Sequence, residues 1–170
     1  MVAKLKRKPN IIADLDGTLA LEHHRRPQIA SPGGWRSYFR GISQDPVNVS
    51  VHTLLHFMQT THKIHIFTSR PEEYRQETEI WLLDNAIPFD VLDMRQAKDT
   101  NLDDGEWTKH RSDEDLKDEM LARYKLTPDN VAVVLEDRDA MVNFYRERGF
   151  DCWQVHPEGE MFIPSKDWGA

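Results

Sequence analysis

Short apolar runs alternate with amphipathic stretches along most of the 170 residues, the pattern of an α/β chain. Residues 10–14, NIIAD, predict a short buried strand. From about residue 47, Val51, Leu54, Leu55 and Met58 recur at helical spacing, ending near His62, and residues 63–68, KIHIFT, predict a second strand. Pro71 suits the first turn of a helix whose apolar face continues through Tyr74, Trp81 and Leu82, with Asn85 as its stop. Residues 89–92 read as a third strand, and the charged, aperiodic stretch 95–111 reads as an irregular insertion. Ser112 with Asp115 resembles a capping box opening a helix to about residue 124. Pro128 and Asp129 turn the chain into the strand 131–135; residues 139–148 are helical with Gly149 as the stop, and 152–155 form the last strand. Five strands separated mostly by helices predict a central parallel sheet flanked by helices, with right-handed crossovers and a ligand site beyond the carboxyl ends. Residues 19–45, punctuated by Pro27, Pro32, Gly33 and Gly34, interrupt this alternation as an insertion after the first strand. No internal repeat is visible, and the expectation is one domain over residues 1–170.

Composition narrows the picture. A chain that is 39% hydrophobic and 30% charged is globular, and a net charge of −7 argues against coating nucleic acid non-specifically. A small phosphorylated ligand or one nucleic-acid end remains compatible. The single cysteine, Cys152, permits no internal disulfide and suits a reducing compartment. The basic start at Lys4, Lys6, Arg7 and Lys8 leads only into Asn10-Ile11-Ile12-Ala13 before Asp14, too short for a signal peptide or membrane anchor. The expected location is cytoplasmic, with no membrane and no stable protein partner.

The chemistry concentrates at predicted strand ends. In Asp14-Leu15-Asp16-Gly17-Thr18 the two acids stand two apart, so an extended chain turns both to one face while Gly17 lets the backbone bend away. Glu136-Asp137 closes the strand 131–135 at the same mouth. Two acidic groups there repel unless a cation lies between them, and hard carboxylate oxygens suit Mg²⁺. Thr68-Ser69-Arg70 adds hydroxyls, helix N–H groups and a guanidinium, a set that suits phosphate. For a cation on the phosphoryl group the candidates are Lys98, Lys109 and Lys117; Lys117, in the second turn of a helix that starts at the mouth, is best placed.

In this order the four elements resemble the haloacid dehalogenase-like (HAD) phosphohydrolases: DLDGT, FTSR, Lys117 and LEDRD stand where that superfamily has its four motifs. Within it, DLDGTLA, IFTSR, Arg95 after LDM, RSDEDLKDEM, LEDRD and CWQV are similar to the 3′-phosphatase domains of bacteriophage polynucleotide kinase/phosphatases, over most of residues 10–156. The resemblance implies a Rossmann-like HAD fold with a cap after the first strand. It implies Asp14 as the nucleophile that becomes an aspartyl-phosphate and Asp16 as the acid and base for leaving group and water. Thr68, or Ser69 one residue on, would bond the phosphoryl oxygens, and Lys117 would balance their charge. Mg²⁺ would be held by Asp14, the backbone carbonyl of Asp16 and Asp137, with Glu136 assisting through water. Arg70 and Arg95 would contact phosphate or substrate. Two departures stand out: Ser69 replaces a common glycine, and Glu136 opens an acidic pair that is usually Asp-Asp. No GxxxxGK[ST] occurs, so kinase activity is not expected.

The insertion carries Arg25, Arg26, Arg36 and Arg40 among Trp35, Tyr38 and Phe39, against Glu22 and Asp45. Such a set either grips a nucleotide by phosphate contact and stacking, or forms the insertion's own core with its arginines in solvent. His23 and His24 read as surface residues and His62 and His65 as structural ones, while Asp99, Asp103, Asp104 and Glu106 read as a solvated loop that repels a long polyanion. The expected substrate is a 3′-phosphorylated nucleic-acid end, the alternative a nucleoside monophosphate. A phospho-acceptor module or an idle binding domain is the reading from a different class.

Overall fold

The computed structural model describes residues 8–32, 34–97, 100–101, 108–109 and 111–156. Expectations for Lys4, Lys6, Arg7, Gly33, Lys98, Asp99, Asp103, Asp104 and Glu106 lie outside the described residues, as does the side chain of Lys109.

Strand β1 (Asn10–Ala13) lies at the centre of a five-stranded sheet, between β2 (Lys63–Pro71) and β6 (Val131–Glu136), with β3 (Val91–Arg95) and β7 (Cys152–Gln154) at the edges. Every pairing in it is parallel. Parallel strands must be joined by crossovers that cover both faces, which is why the central strands are apolar almost throughout. Ile11 and Ala13 enter one core with Leu55, Trp81 and Leu82, while Ile12 enters the other with Met120, Val134 and Phe144. Helices α2 (Val49–Met58) and α3 (Arg75–Asp84) cover the first face, and α4 (Asp113–Arg123) and α5 (Asp139–Glu147) the second. Ala13 pairs with both Ile66 and Leu135, so the carboxyl ends of β1, β2 and β6 stop side by side, and the residues that follow each of them share one mouth.

The sheet follows its predicted order, with shifted ends. Pro71 belongs to β2, and a 3₁₀ turn at Glu72–Tyr74 precedes α3. The residue before a proline avoids helical backbone, and the inward-turned Arg70 keeps the chain extended. Strand β3 runs on to Arg95 because Asp93, which interrupts the apolar run, is buried on Arg123 at 2.6 and 2.5 Å. Within 95–111, Thr100–Asn101 (β4) pairs antiparallel with Thr108–Lys109 (β5).

The described residues of 19–45 include a 3₁₀ segment at Glu22–Ala30, the helix α1 (Gly34–Arg40) and a second 3₁₀ turn at Ile42–Gln44. Ala20 ties the start of this cap to the turn after β1 and to the approach to α2 through isolated bridges to Asp16 and Val47. Trp35 stacks on Phe39 at 5.9 Å, and Phe39 meets Tyr74 at 4.9 Å, so the cap's aromatic residues pack into the first core.

Candidate active site

At the end of β1 the Asp14 N–H donates to the carbonyl of Leu135 at 2.9 Å, which fixes its carboxylate at the floor of the mouth. Gly17 follows with φ +88°, and a Cβ there would overlap the Asp137 carboxylate, so the turn and the close approach both require glycine. Thr18 donates its hydroxyl to Asp137 Oδ1 at 3.1 Å. Ser112 caps α4 by accepting from the Asp115 N–H, as the capping box predicts. That helix delivers Lys117, fully buried, whose Nζ donates to Asp14 Oδ1 at 2.6 Å and to the Phe67 carbonyl at 2.5 Å.

A cavity of about 130 Å³ opens here, with Asp14, Asp16, Thr68, Ser69 and Asp137 in its wall and Trp35 and Arg138 at its sides. Thr68 accepts from the Arg70 N–H at 3.1 Å, which leaves its own proton available, whereas Ser69 commits its proton to Asp113 at 3.0 Å. Arg70 and Arg95 stand behind the wall. Arg70 is buried and donates to Asp16 at 2.9 and 2.8 Å and to Asp45 at 3.0 Å. Arg95 is buried and donates to Asp113 at 2.5 Å and to the Arg111 carbonyl at 2.9 Å. Both act on the residues that face the cavity.

The structure adds residues that local patterns conceal. Arg25 is buried in the cap with its guanidinium 4.0 Å over the Tyr38 ring, and it donates to Asp45 at 2.7 and 2.8 Å and to Asp16 at 2.5 Å. Asp45 is thereby shared between Arg25 and Arg70. Asp113, which reads in sequence as a helix-start acid, gathers Ser69, Arg95 and Arg138. Glu22 lines the cavity and is clamped by Arg26 at 2.6 Å. For Arg25 the available signal is an adjacent arginine pair, Arg25-Arg26, placed shortly after the acid pair; for Asp113 it is a third acid in a first turn that needs only one.

Charge is distributed unevenly. Burial raises the Asp14 carboxyl, and the opposing pull of Lys117 does not cancel it. Burial, then repulsion from Asp14, pushes Glu136 up to about 8 and Asp137 up to about 6. Burial also raises Asp16, but the guanidiniums of Arg70 and Arg25 outweigh it and hold that carboxyl below the usual range. Asp14, Glu136 and Asp137 each offer an oxygen within 4.8 Å of the others. Glu136 Oε2 is buried with no hydrogen-bond partner among the described residues. Three crowded carboxylates with an orphaned oxygen fit a hard divalent cation. The Asp16 carboxylate, turned to its two arginines, is not in that group.

This geometry accords with comparison to known proteins. The family of polynucleotide kinase PNKP phosphatase domains matches residues 8–160. The chain belongs to this family. It is a HAD-like phosphatase. Among solved structures, the Pnkp1/Rnl/Hen1 complex and the Pnkp1/Rnl/Hen1 RNA repair complex each contain a chain 29% identical with a TM-score of 0.68, matched over 89% of this chain. The match covers 47% and 43% of those chains, so this chain spans about half their length. A haloacid dehalogenase-like hydrolase from Streptococcus pneumoniae is 15% identical (TM-score 0.64, 86% of this chain and 83% of that one). A HAD-hydrolase from Bacillus subtilis bound to magnesium is 12% identical (TM-score 0.60, 94% and 91%), and both share the fold. No curated protein sequence matches. Among the described residues, no helix is long and apolar enough to cross a membrane.

Proposed function

We propose that this phosphatase removes the terminal phosphate from the 3′ end of a nucleic-acid strand, with Asp14 as nucleophile and Mg²⁺ as cofactor. The observation that carries this reading is Asp14 itself: buried at the floor of a phosphate-sized cavity, charge-paired to Lys117, and crowded by Glu136 and Asp137.

In the first half-reaction an Asp14 oxygen attacks phosphorus, the bond from phosphorus to the 3′ oxygen breaks, and Asp16 supplies the proton that oxygen needs. Asp16 is ionised at rest because of Arg25 and Arg70, so it takes up this proton as the phosphate dianion arrives and raises its affinity for one. In the second half-reaction Asp16 removes a proton from the water that attacks the aspartyl-phosphate, and inorganic phosphate leaves with Asp14 restored. Thr68 donates to a phosphoryl oxygen, Ser69 holds Asp113, and Lys117 neutralises Asp14 and the transferring group. Asp14, Asp137 and Glu136 would hold Mg²⁺, joined by the Asp16 carbonyl; when bound it supplies charge neutralisation at the phosphoryl oxygens. Arg70 and Arg95 act by positioning Asp16 and Asp113.

The net charge of −7 and the presence of Glu22 in the cavity wall favour a short substrate, which keeps a nucleoside monophosphate as the second reading. The buried thiol of Cys152 suits a reducing, cytoplasmic setting. The Pnkp1 relatives occur in complexes with other proteins, so a protein partner is compatible with this reading. The test is Mg²⁺-dependent phosphate release from a 3′-phosphorylated oligonucleotide against 3′- and 5′-nucleoside monophosphates. Preference for the oligonucleotide, lost in Asp14→Asn, supports the reading; preference for mononucleotides makes the enzyme a nucleotidase.

A further inference from the structure

The catalytic cavity has two chemically different sides. One comes from the strand ends and the start of α4 and consists of carboxylates, hydroxyls and Arg138; the other comes from the cap and consists of Glu22, Arg26, Trp35, Tyr38 and Phe39. Attacking and leaving oxygens stand roughly in line across a transferring phosphoryl group, so the leaving oxygen lies on the side of phosphorus away from Asp14 and the floor. Asp16, which would hand that oxygen its proton, is itself held by Arg25 of the cap at 2.5 Å. The body of the leaving group is therefore met by the cap.

What the cap offers there is aromatic surface. Its two charged side chains in the wall are spent on each other, Arg26 donating to Glu22 at 2.6 to 3.0 Å. Tyr38 is buried, with the Arg25 guanidinium 4.0 Å over its ring, and Phe39 is buried between Trp35 and Tyr74, at centroid distances of 5.9 and 4.9 Å. Of the three rings Trp35 alone is only partly buried. Phe39 backs it in a stacked arrangement at 29°, and Tyr38 meets it edge-on at 80° and 5.3 Å, so the plane of the indole is fixed before any ligand arrives. A rigid indole beside a phosphate pocket suits a flat base, because it needs only the π face that every base has.

We propose that Trp35 is the residue that selects a nucleoside as leaving group: the base of the nucleotide that bears the phosphate stacks on its indole while the phosphate lies at Asp14. The place of the phosphate rests on the function proposed above. Because stacking reads a π face and not a pattern of donors and acceptors, the selection is for the presence of a base and not for its identity. Stacking forms with the substrate bound and persists through the transition state, so it acts on KM more than on kcat.

The experiment measures phosphate release by the full chain with Mg²⁺ from two strands, a 3′-phosphorylated oligonucleotide and the same oligonucleotide ending in a base-free tetrahydrofuran residue with its 3′-phosphate. In wild type the base should raise kcat/KM about tenfold to a hundredfold, mainly through KM, with the four ordinary bases alike to within about threefold. Trp35→Leu should bring the ratio of the two strands to about one, and Trp35→Tyr should keep most of it. A residue that only closes the cap would, on replacement, slow both strands together and leave the ratio where it was, and that result would overturn the proposal. So would a wild-type enzyme that treats the two strands alike, a comparison that needs no variant to fold. Release from nucleoside 5′-monophosphates in place of 3′-phosphorylated strands, with a Trp35-dependent advantage over ribose 5-phosphate, would overturn the proposed function and leave the stacking residue standing. Release from base-free phosphates alone would overturn both.

Discussion

Two groups of carboxylates share the mouth of the sheet and are compensated in opposite ways. Asp16 and Asp45 meet the guanidiniums of Arg25 and Arg70 in a closed set of hydrogen bonds between 2.5 and 3.0 Å; Asp16 is held ionised, whereas burial still raises Asp45. Asp14, Glu136 and Asp137 are buried together, with Lys117 on Asp14 and the edge of Arg138 4.0 Å from Glu136, and burial pushes all three toward their neutral forms. The saturated group fastens the cap and aims Asp16. In the proposed reaction the starved group stores unfavourable charge that a divalent cation or a reacting phosphoryl group would relieve.

The largest effect that can break this contrast is on turnover. Asp14→Asn should lower phosphate release by about 10³-fold or more with the far-ultraviolet circular dichroism unchanged, since it removes the nucleophile and relieves repulsion together. On the saturated side, Arg25→Met keeps the packing on Tyr38 but leaves buried Asp45 short of a partner. Urea unfolding should show a loss of about 3–5 kcal/mol. A loss below about 1 kcal/mol would mean that the network does not fasten the cap.

A smaller effect comes from pH. Glu136 and Asp137 have folded values above their unfolded ones, so their stabilising contribution is complete below about pH 4 and is lost as pH rises through about 6 for Asp137 and about 8 for Glu136. Metal-free protein should therefore lose stability between pH 4 and pH 8 relative to protein saturated with Mg²⁺, read from thermal or urea unfolding at each pH. The smallest effect sharpens the same point. Without metal, Asp137→Asn should raise Tm by a few degrees, since it removes one repelling charge and keeps an acceptor for Thr18, and it should reduce the rise in Tm that Mg²⁺ gives the wild type.

Much of this was legible in the chain. The sheet was readable because its central strands are buried on both faces and carry unbroken apolar runs, such as Val131 to Leu135. The mouth was readable because DLDGT, Thr68-Ser69-Arg70 and Glu136-Asp137 each follow such a run, and a parallel sheet must bring strand ends together. Segments whose charges turn inward were harder to read. Residues 22–30 show no apolar period because their buried positions are Glu22 and Arg25, and only partners supplied by the tertiary fold make such burial tolerable. Asp93 hid the end of β3 in the same way. The resemblance implies phosphate or substrate contacts for Arg70 and Arg95, and no local pattern tells a guanidinium facing a cavity from one bracing its wall. For Trp35, Tyr38 and Phe39 the two readings are not exclusive: they pack on one another and line the cavity.

The central claim is that Asp14 itself takes the phosphoryl group. Its most direct test is to mix enzyme, Mg²⁺ and excess 3′-phosphorylated oligonucleotide, quench in the steady state, reduce with borohydride and map the peptides by mass spectrometry. An acyl phosphate at Asp14 is reduced to homoserine, so the account predicts that change at position 14, dependent on substrate and on Mg²⁺. Phosphate release at full rate with an unmodified Asp14, or reduction at another carboxylate, would contradict it.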